Sequence, residues 1–242
     1  MTRPAATIVI WHDVECGSYT TDLPLWHELA DRERGPVLDV GAGTGRVALT
    51  LAAVGHVVWA LDREPELLAA LASRAAERGL HVETVVADAA DFALAQRFGL
   101  IIVPMQTIQL LPERAGLLAA ARRHLEPGGL LAVAITGGLE PFDADNAFLP
   151  APDVLEVDGR RFESQPVAVR VGPQVARIER VRRTFPPDGG PVEERDDVIE
   201  LAQVDVAGLE AEGRAAGFTP EPARHIPPTF EHVGSEVVLL RA

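Results

Sequence analysis

From residue 37 onward the chain alternates two hydrophobic rhythms. Short, nearly continuous apolar runs stand at 37–40, 57–61, 81–87, 100–104 and 130–135. Segments with helical spacing lie between them. Pro65 opens one in which Leu67, Leu68, Leu71 and Ala75 share a face, and Gly79 closes it. Pro112 opens another, with Leu117, Leu118, Ala121 and Leu125 inside, before Pro127-Gly128-Gly129 turns the chain into the next strand. Continuous apolar strands separated by helices predict an α/β fold whose parallel sheet is covered on both faces.

The rhythm differs at both ends and in one internal stretch. Residues 1–36 form an N-terminal cap segment. In it Asp22 can cap a short helix that carries Pro24 in its first turn and Leu25, Trp26 and Leu29 as its apolar stripe. Residues 140–200 are rich in proline and glycine. Runs at 167–171 and 175–185, joined by Gly172-Pro173, predict antiparallel strands. The arginines of that stretch, Arg160, Arg161, Arg170, Arg177, Arg180, Arg182 and Arg183, read as a solvated sheet face rather than a substrate clamp. Core-like elements return as a helix over 206–216 and strands at 221–226 and 236–240. The predicted organisation is a core of 37–139 and 201–242 interrupted by an antiparallel lid at 140–200.

Composition narrows the functional classes. Of 242 residues, 36 are acidic and 22 basic, for a net charge of −14, which disfavours a phosphate backbone as partner. Every basic residue is arginine, so Schiff-base chemistry on a lysine is excluded. The single cysteine, Cys16, cannot form an internal disulfide and fits a reducing compartment. The apolar stretch 5–11 is too short for a signal segment, and no run is long enough to span a bilayer. The expectation is a cytoplasmic protein with no membrane and no nucleic-acid partner. Its oligomeric state is not readable, and a homodimer is left open.

Three strand ends carry candidate chemistry. Gly41-Ala42-Gly43-Thr44-Gly45 follows the strand at 37–40 and precedes a helix, so its backbone can turn sharply and approach a ligand while the helix N-terminus offers amide donors. A dinucleotide fingerprint would be G-x-G-x-x-G. Here the sixth position is Arg46, which would obstruct the close helix–strand packing of that motif. Asp62 ends the next strand, at the distance where an acid meets a ribose; its alternative is a cap on the helix at Pro65. Asp88 follows the third strand and can accept from an adenine amino group; its alternative is a solvated loop acid. Asp91 reads as a helix cap. Ligands of parallel sheets bind outside the carboxyl ends of the strands, where these three features converge.

This set resembles the class I S-adenosylmethionine-dependent methyltransferases of the small-molecule type. The resemblance rests on Val37-Leu38-Asp39-Val40-Gly41-Ala42-Gly43-Thr44-Gly45, Leu61-Asp62, Ala87-Asp88-Ala89 and Leu125-Glu126-Pro127-Gly128-Gly129, with Ala215-Ala216-Gly217-Phe218 adding support. It implies a doubly wound, mostly parallel seven-stranded sheet, a Rossmann-like methyltransferase fold, with a small antiparallel β insertion. It also implies S-adenosylmethionine as cofactor and S-adenosylhomocysteine as product. Asp39, Gly41, Ala42 and Gly43 would face the methionine half, Asp62 the ribose and Arg63 the adenine flank. Asp88 and Ala89 would read the adenine edge, Met105 and Gln106 would lie near the sulfonium, and Tyr19 would fold over the cofactor.

The expected activity is methyl transfer to an N or O atom of a small-molecule acceptor, with no metal. Catalytic candidates are His12, Gln106 and Glu140, with Gln109 a further polar side chain and His27 structural. His225 and His232 are assigned no role. The alternatives are an NAD(P)-dependent oxidoreductase and a non-catalytic methyltransferase-like partner protein.

Overall fold

The computed structural model describes residues 7–136, 138–143, 149–229 and 232–242. Residues 1–6 of the predicted cap segment and 137 and 144–148 around the predicted insertion lie outside the described residues. The chain opens with α1 (Thr7–Cys16) and α2 (Leu23–Arg32). The core then runs β1 (Val37–Val40), α3 (Ala48–Ala53), β2 (Val58–Asp62), α4 (Pro65–Glu77), β3 (Val82–Val86), β4 (Phe98–Val103), a 3-10 turn (Thr107–Leu110), α5 (Ala115–His124) and β5 (Leu125–Ile135). An excursion carries β6 (Phe142–Asp143), β7 (Asp153–Val157), β8 (Arg160–Val171), β9 (Val175–Phe185) and β10 (Glu193–Ala202). The core resumes with α6 (Val206–Ala215), β11 (Thr219–Ile226) and β12 (Ser235–Arg241).

The core strands form one seven-stranded sheet in the order β11-β12-β5-β4-β1-β2-β3. Five strands are parallel, and β12 enters antiparallel between β5 and β11. The expected doubly wound sheet is therefore present. Its central strands are largely apolar because alternate residues serve opposite covered faces, while the edge strands β3 and β11 are more polar and partly exposed. Val37, Leu100, Ile102, Leu130, Ala132 and Ala134 pack on one side with α2, α3 and α4. Leu38, Ile101, Val103, Leu131, Val133 and Ile135 pack on the other with α5 and α6. A period-2 strand buried on both faces has no polar side to show, which is why the sequence reads as solid apolar runs.

The excursion is a separate antiparallel sheet ordered β10-β9-β8-β6, with β7 also pairing on β8. Pro166 stands inside central strand β8. The register shifts between Pro166 and Ala168, so the missing N–H falls at a bulge rather than in the regular ladder.

Two expectations are corrected. Residues 7–16 form a helix that the N-terminal pattern did not announce. Asp22 stands at the start of α2, but its side chain makes no capping bond. Its carboxylate instead accepts from Trp26 Nε1 at 2.8 Å and from both Arg46 terminal nitrogens at 2.6 and 2.7 Å. A bidentate guanidinium is a stronger partner than a backbone amide, and it wins.

Candidate active site

The carboxyl ends of β1, β2 and β3 open into one cavity of about 1170 Å³, whose far wall is the antiparallel sheet. Its floor is the glycine turn. Gly41 and Ala42 donate their amides to Leu61 O of β2 at 2.8 and 3.0 Å, which bends the chain sharply after β1. Gly41 has φ +74°, and a Cβ there would strike Thr107. At Gly43, φ +54°, a Cβ would land on the His12 imidazole of α1. Side chains are therefore excluded at both positions.

Gly45 explains why Arg46 is tolerated. A Cβ on Gly45 would press into Leu71 and Leu49 at 2.6–3.0 Å, so this glycine supplies the close approach of turn to helix α4. Arg46 points instead to Asp22 and also donates to Tyr19 O at 2.8 Å. The expected obstruction does not arise, because the arginine leaves the helix–strand seam altogether.

The acids divide by environment. Asp39, at the end of β1, is 1% exposed, and its Oδ1 has no hydrogen-bond partner among the described residues. Burial raises its pKa to about 7, against the opposing pull of Arg46. Asp62 is buried too; Oδ2 accepts from Gly43 N at 2.8 Å and Oδ1 from Glu64 N at 3.0 Å. It thus ties the glycine turn to the start of α4. Asp88 is exposed and accepts from Ala90 N at 2.8 Å. Arg63 is largely exposed beside Glu64.

Tyr19, Asp39, Gly41, Ala42, Asp62, Arg63, Asp88, Ala89, Met105 and Gln106 all line the cavity, as does His12. Gly43 does not, because His12 covers it. Met105 adopts φ +55°, an uncommon conformation for a side-chain-bearing residue, at the end of β4. Glu140 is exposed and does not itself line the cavity, although its neighbour Leu139 does. Gln109 is fully engaged with backbone: Oε1 accepts from Thr136 N at 2.7 Å, and Nε2 donates to Thr136 O and Ala202 O at 3.2 and 3.1 Å.

Helix α1 joins the two halves of the site. Thr44 Oγ1 donates to Asp13 Oδ1 at 2.7 Å, and Arg74 of α4 holds the same carboxylate. Burial lowers the His12 pKa from its usual value, with Asp13 and Asp62 pulling the other way. On the opposite side, Glu15 receives Arg182 of β9 bidentately at 2.8 and 2.9 Å, with Ser164 Oγ at 2.8 Å. Burial alone would raise the Glu15 pKa; the hydrogen bonds and charges of Arg182 and Arg180 outweigh it and hold it low.

The reading of the arginines on the antiparallel sheet therefore needs correction. Arg180 and Arg182 have side chains only 16% and 24% exposed and line the cavity rather than a solvated face. The i, i+2 spacing of these residues was visible, but a period of two does not say which face is covered. His232, assigned no role, stacks on Tyr19 with ring centroids 4.9 Å apart and also lines the cavity. Among the described residues no cluster has the composition of a metal site, and no helix is long and apolar enough to cross a membrane.

Residues 37–129, which hold the glycine turn and all three strand-end acids, match the family described as a methyltransferase domain. A ubiquinone biosynthesis O-methyltransferase of Xanthomonas axonopodis pv. citri is 32% identical over 96 residues, 39% of this chain and 40% of that protein. The chain thus spans about two-fifths of the length of the curated relatives it matches. Over the full length, the fold is that of an amino pentose methyltransferase from Micromonospora echinaspora, solved with S-adenosylmethionine bound. The TM-score is 0.71 at 20% identity, covering 100% of both chains. A sugar N-methyltransferase from Streptoalloteichus is similar, with TM-score 0.70, 22% identity and coverage of 100% of this chain and 96% of that one. Residues 37–129 are thus similar to a methyltransferase domain, and the protein has the fold of the S-adenosylmethionine-dependent methyltransferases, which its glycine turn and strand-end acids resemble.

Proposed function

We propose that this protein transfers a methyl group from S-adenosylmethionine to an N or O atom of a small-molecule acceptor by in-line displacement. The observation that carries the reading is the convergence of Asp39, Gly41, Asp62 and Asp88 on one cavity at the ends of three adjacent parallel strands. The buried, unpartnered Asp39 Oδ1 suits a cationic ammonium, and the glycine turn leaves room for a close backbone approach. Asp62 offers a carboxylate to two vicinal hydroxyls, and Asp88 with the amide of Ala89 offers an acceptor and a donor to an adenine edge. Met105 and Gln106 then border the reacting centre, with Tyr19 above.

Bound S-adenosylmethionine supplies an electrophilic methyl on a positively charged sulfur. The remaining work falls to the chain: hold the acceptor atom in line and keep water out, which is a proximity effect. Helix α1 and the antiparallel sheet roof the cavity and serve that exclusion. His12, kept neutral by its burial, is suited to accept a proton if the acceptor is a hydroxyl; Gln106 is placed to orient the acceptor. Glu140 keeps a role only if it contacts the acceptor from the cavity's edge.

The test is isothermal titration with S-adenosylhomocysteine. Micromolar or tighter binding is expected, and Asp62→Ala should weaken it at least about tenfold, the loss of one to two charge-assisted hydrogen bonds. Absence of binding to either cofactor form defeats the proposal; unchanged affinity in the variant removes Asp62 from the site.

A further inference from the structure

The antiparallel sheet treats its two faces differently. Toward solvent its arginines are neutralised by neighbouring acids: Arg170 by Glu179 and Asp143, Arg177 by Glu200, Arg183 by Glu194, at 2.8–3.1 Å. Toward the cavity the pattern changes. Arg182 on β9 faces Arg195 on β10 in direct cross-strand register. Like charges placed opposite each other destabilise a sheet, so this pair works against the fold. Arg195 lines the cavity and has no ion pair among the described residues. Two positions along β9 from Arg182, on the same face, stands Arg180. Its Nε and Nη1 are buried without a hydrogen bond, although Nη1 lies 3.4 Å from Glu15 Oε2.

The acids facing this cluster do not use up its donors. Glu15 spends its oxygens on Arg182 and Ser164. Asp197 meets Arg182 at 2.9 Å through one oxygen, and the other is sealed from solvent without a partner. Asp153 and Asp196 border the cavity as well. The guanidinium groups left with unused donors are the buried Arg180 and, at the exposed rim of the cavity, Arg195. Beside them the cavity wall is apolar, with Phe142, Val169, Ile178 and Ile199.

We infer that Arg180 and Arg195 form an oxyanion-recognition subsite, and that the methyl acceptor carries a carboxylate or phosphate group on an apolar frame. Planar guanidinium groups with free donors match either anion in geometry and charge. The inference deepens the proposed methyl transfer and rests on it for the identity of the bound molecule as acceptor. The subsite itself rests only on the arginines.

The test uses the full chain saturated with S-adenosylhomocysteine and three probes of similar frame: benzoate, phenyl phosphate and neutral benzyl alcohol. Affinities are read by ligand-observed NMR titration. At least one anion should bind about tenfold or more tightly than benzyl alcohol, and which one does so separates carboxylate from phosphate. Arg180→Gln and Arg195→Gln should each weaken that anion about tenfold or more while leaving benzyl alcohol and S-adenosylhomocysteine unchanged. Arg195 is exposed, so its variant stays informative even if the Arg180 variant fails to fold. The inference is overturned if neither anion outcompetes the alcohol, or if the Arg195 variant keeps the wild-type anion affinity. If wild-type protein binds the anion but not S-adenosylhomocysteine, the methyl-transfer reading falls and the subsite stands.

Discussion

Replacing Arg46 with Met should destabilise the protein far more than a surface arginine would. Arg46 and Asp22 have side chains only 10% and 2% exposed, so solvent does little to screen their interaction. The substitution removes two charge-assisted bonds to Asp22 and one to Tyr19 O, and leaves the Asp22 carboxylate with Trp26 Nε1 as its side-chain donor. Stranding a buried charge costs about 3–5 kcal/mol. For a chain of this length each kcal/mol moves Tm by roughly 2–4 °C, so a fall of about 6–20 °C is expected. Burial and the Asp22 carboxylate act in opposite directions on Arg46, and the net effect raises its pKa further. Arg46 itself stays charged, but it also favours the ionised form of Asp39, which titrates at about 7, so the loss should be larger at pH 8 than at pH 6. Equilibrium urea unfolding of wild type, Arg46→Met, Asp22→Leu and the double variant closes the cycle. The double variant should recover most of the loss, because removing both partners leaves no unpaired charge. A single-variant loss below about 1 kcal/mol, or a double variant as damaged as the sum of the singles, would refute the claim that a stranded carboxylate is the cause.

Two further outcomes follow from the same floor. Asp39 has a folded pKa raised to about 7, from an ordinary 3.8. Between those values the folded state binds the proton more than the unfolded chain does, so this group's contribution to stability is lost as pH rises from about 4 through 7. Asp39→Asn should flatten that decline in thermal melts. In wild type, S-adenosylhomocysteine affinity should rise from pH 6 to 8 as the carboxylate ionises against the ligand's ammonium; a parallel rise in the Asn variant would remove Asp39 as its source. Gly43→Ala places a Cβ at φ +54° and onto the His12 ring, so a stability loss of roughly 1–2 kcal/mol and weaker cofactor binding are expected. Adding His12→Ala should restore part of the stability in urea titration, and no recovery would show that the clash is not with the imidazole.

The core was legible because its signals are local. Continuous apolar runs mark strands buried on both faces, and Leu67, Leu68, Leu71 and Ala75 are all buried at the helical spacing that announced them. Helix α1 was not legible. Its TIVIWHDVEC segment is rich in β-branched residues and holds its helical form against β8, β7 and α4, partners remote in sequence. Asp22 carried a cap signal, but its true partner is 24 residues away. The glycine turn and Asp62 could be placed at strand ends from spacing alone. Glu15 could not be connected to Arg182, because 167 residues separate them and only the folded antiparallel sheet brings them together.

The amide of Gln109 spans the point where the antiparallel excursion leaves the core, at Thr136, and the point where it returns, at Ala202. One side chain thus clasps both ends of a 65-residue detour as a buckle closes a loop of strap. To the core the detour presents a single neck, held by a residue that belongs to neither end. The excursion can consequently be lengthened, reshaped or exchanged for another of different specificity without altering the spacing that the core's own strands require. The parallel core and the antiparallel excursion are thus coupled at this neck through one amide, not through the register of their strands.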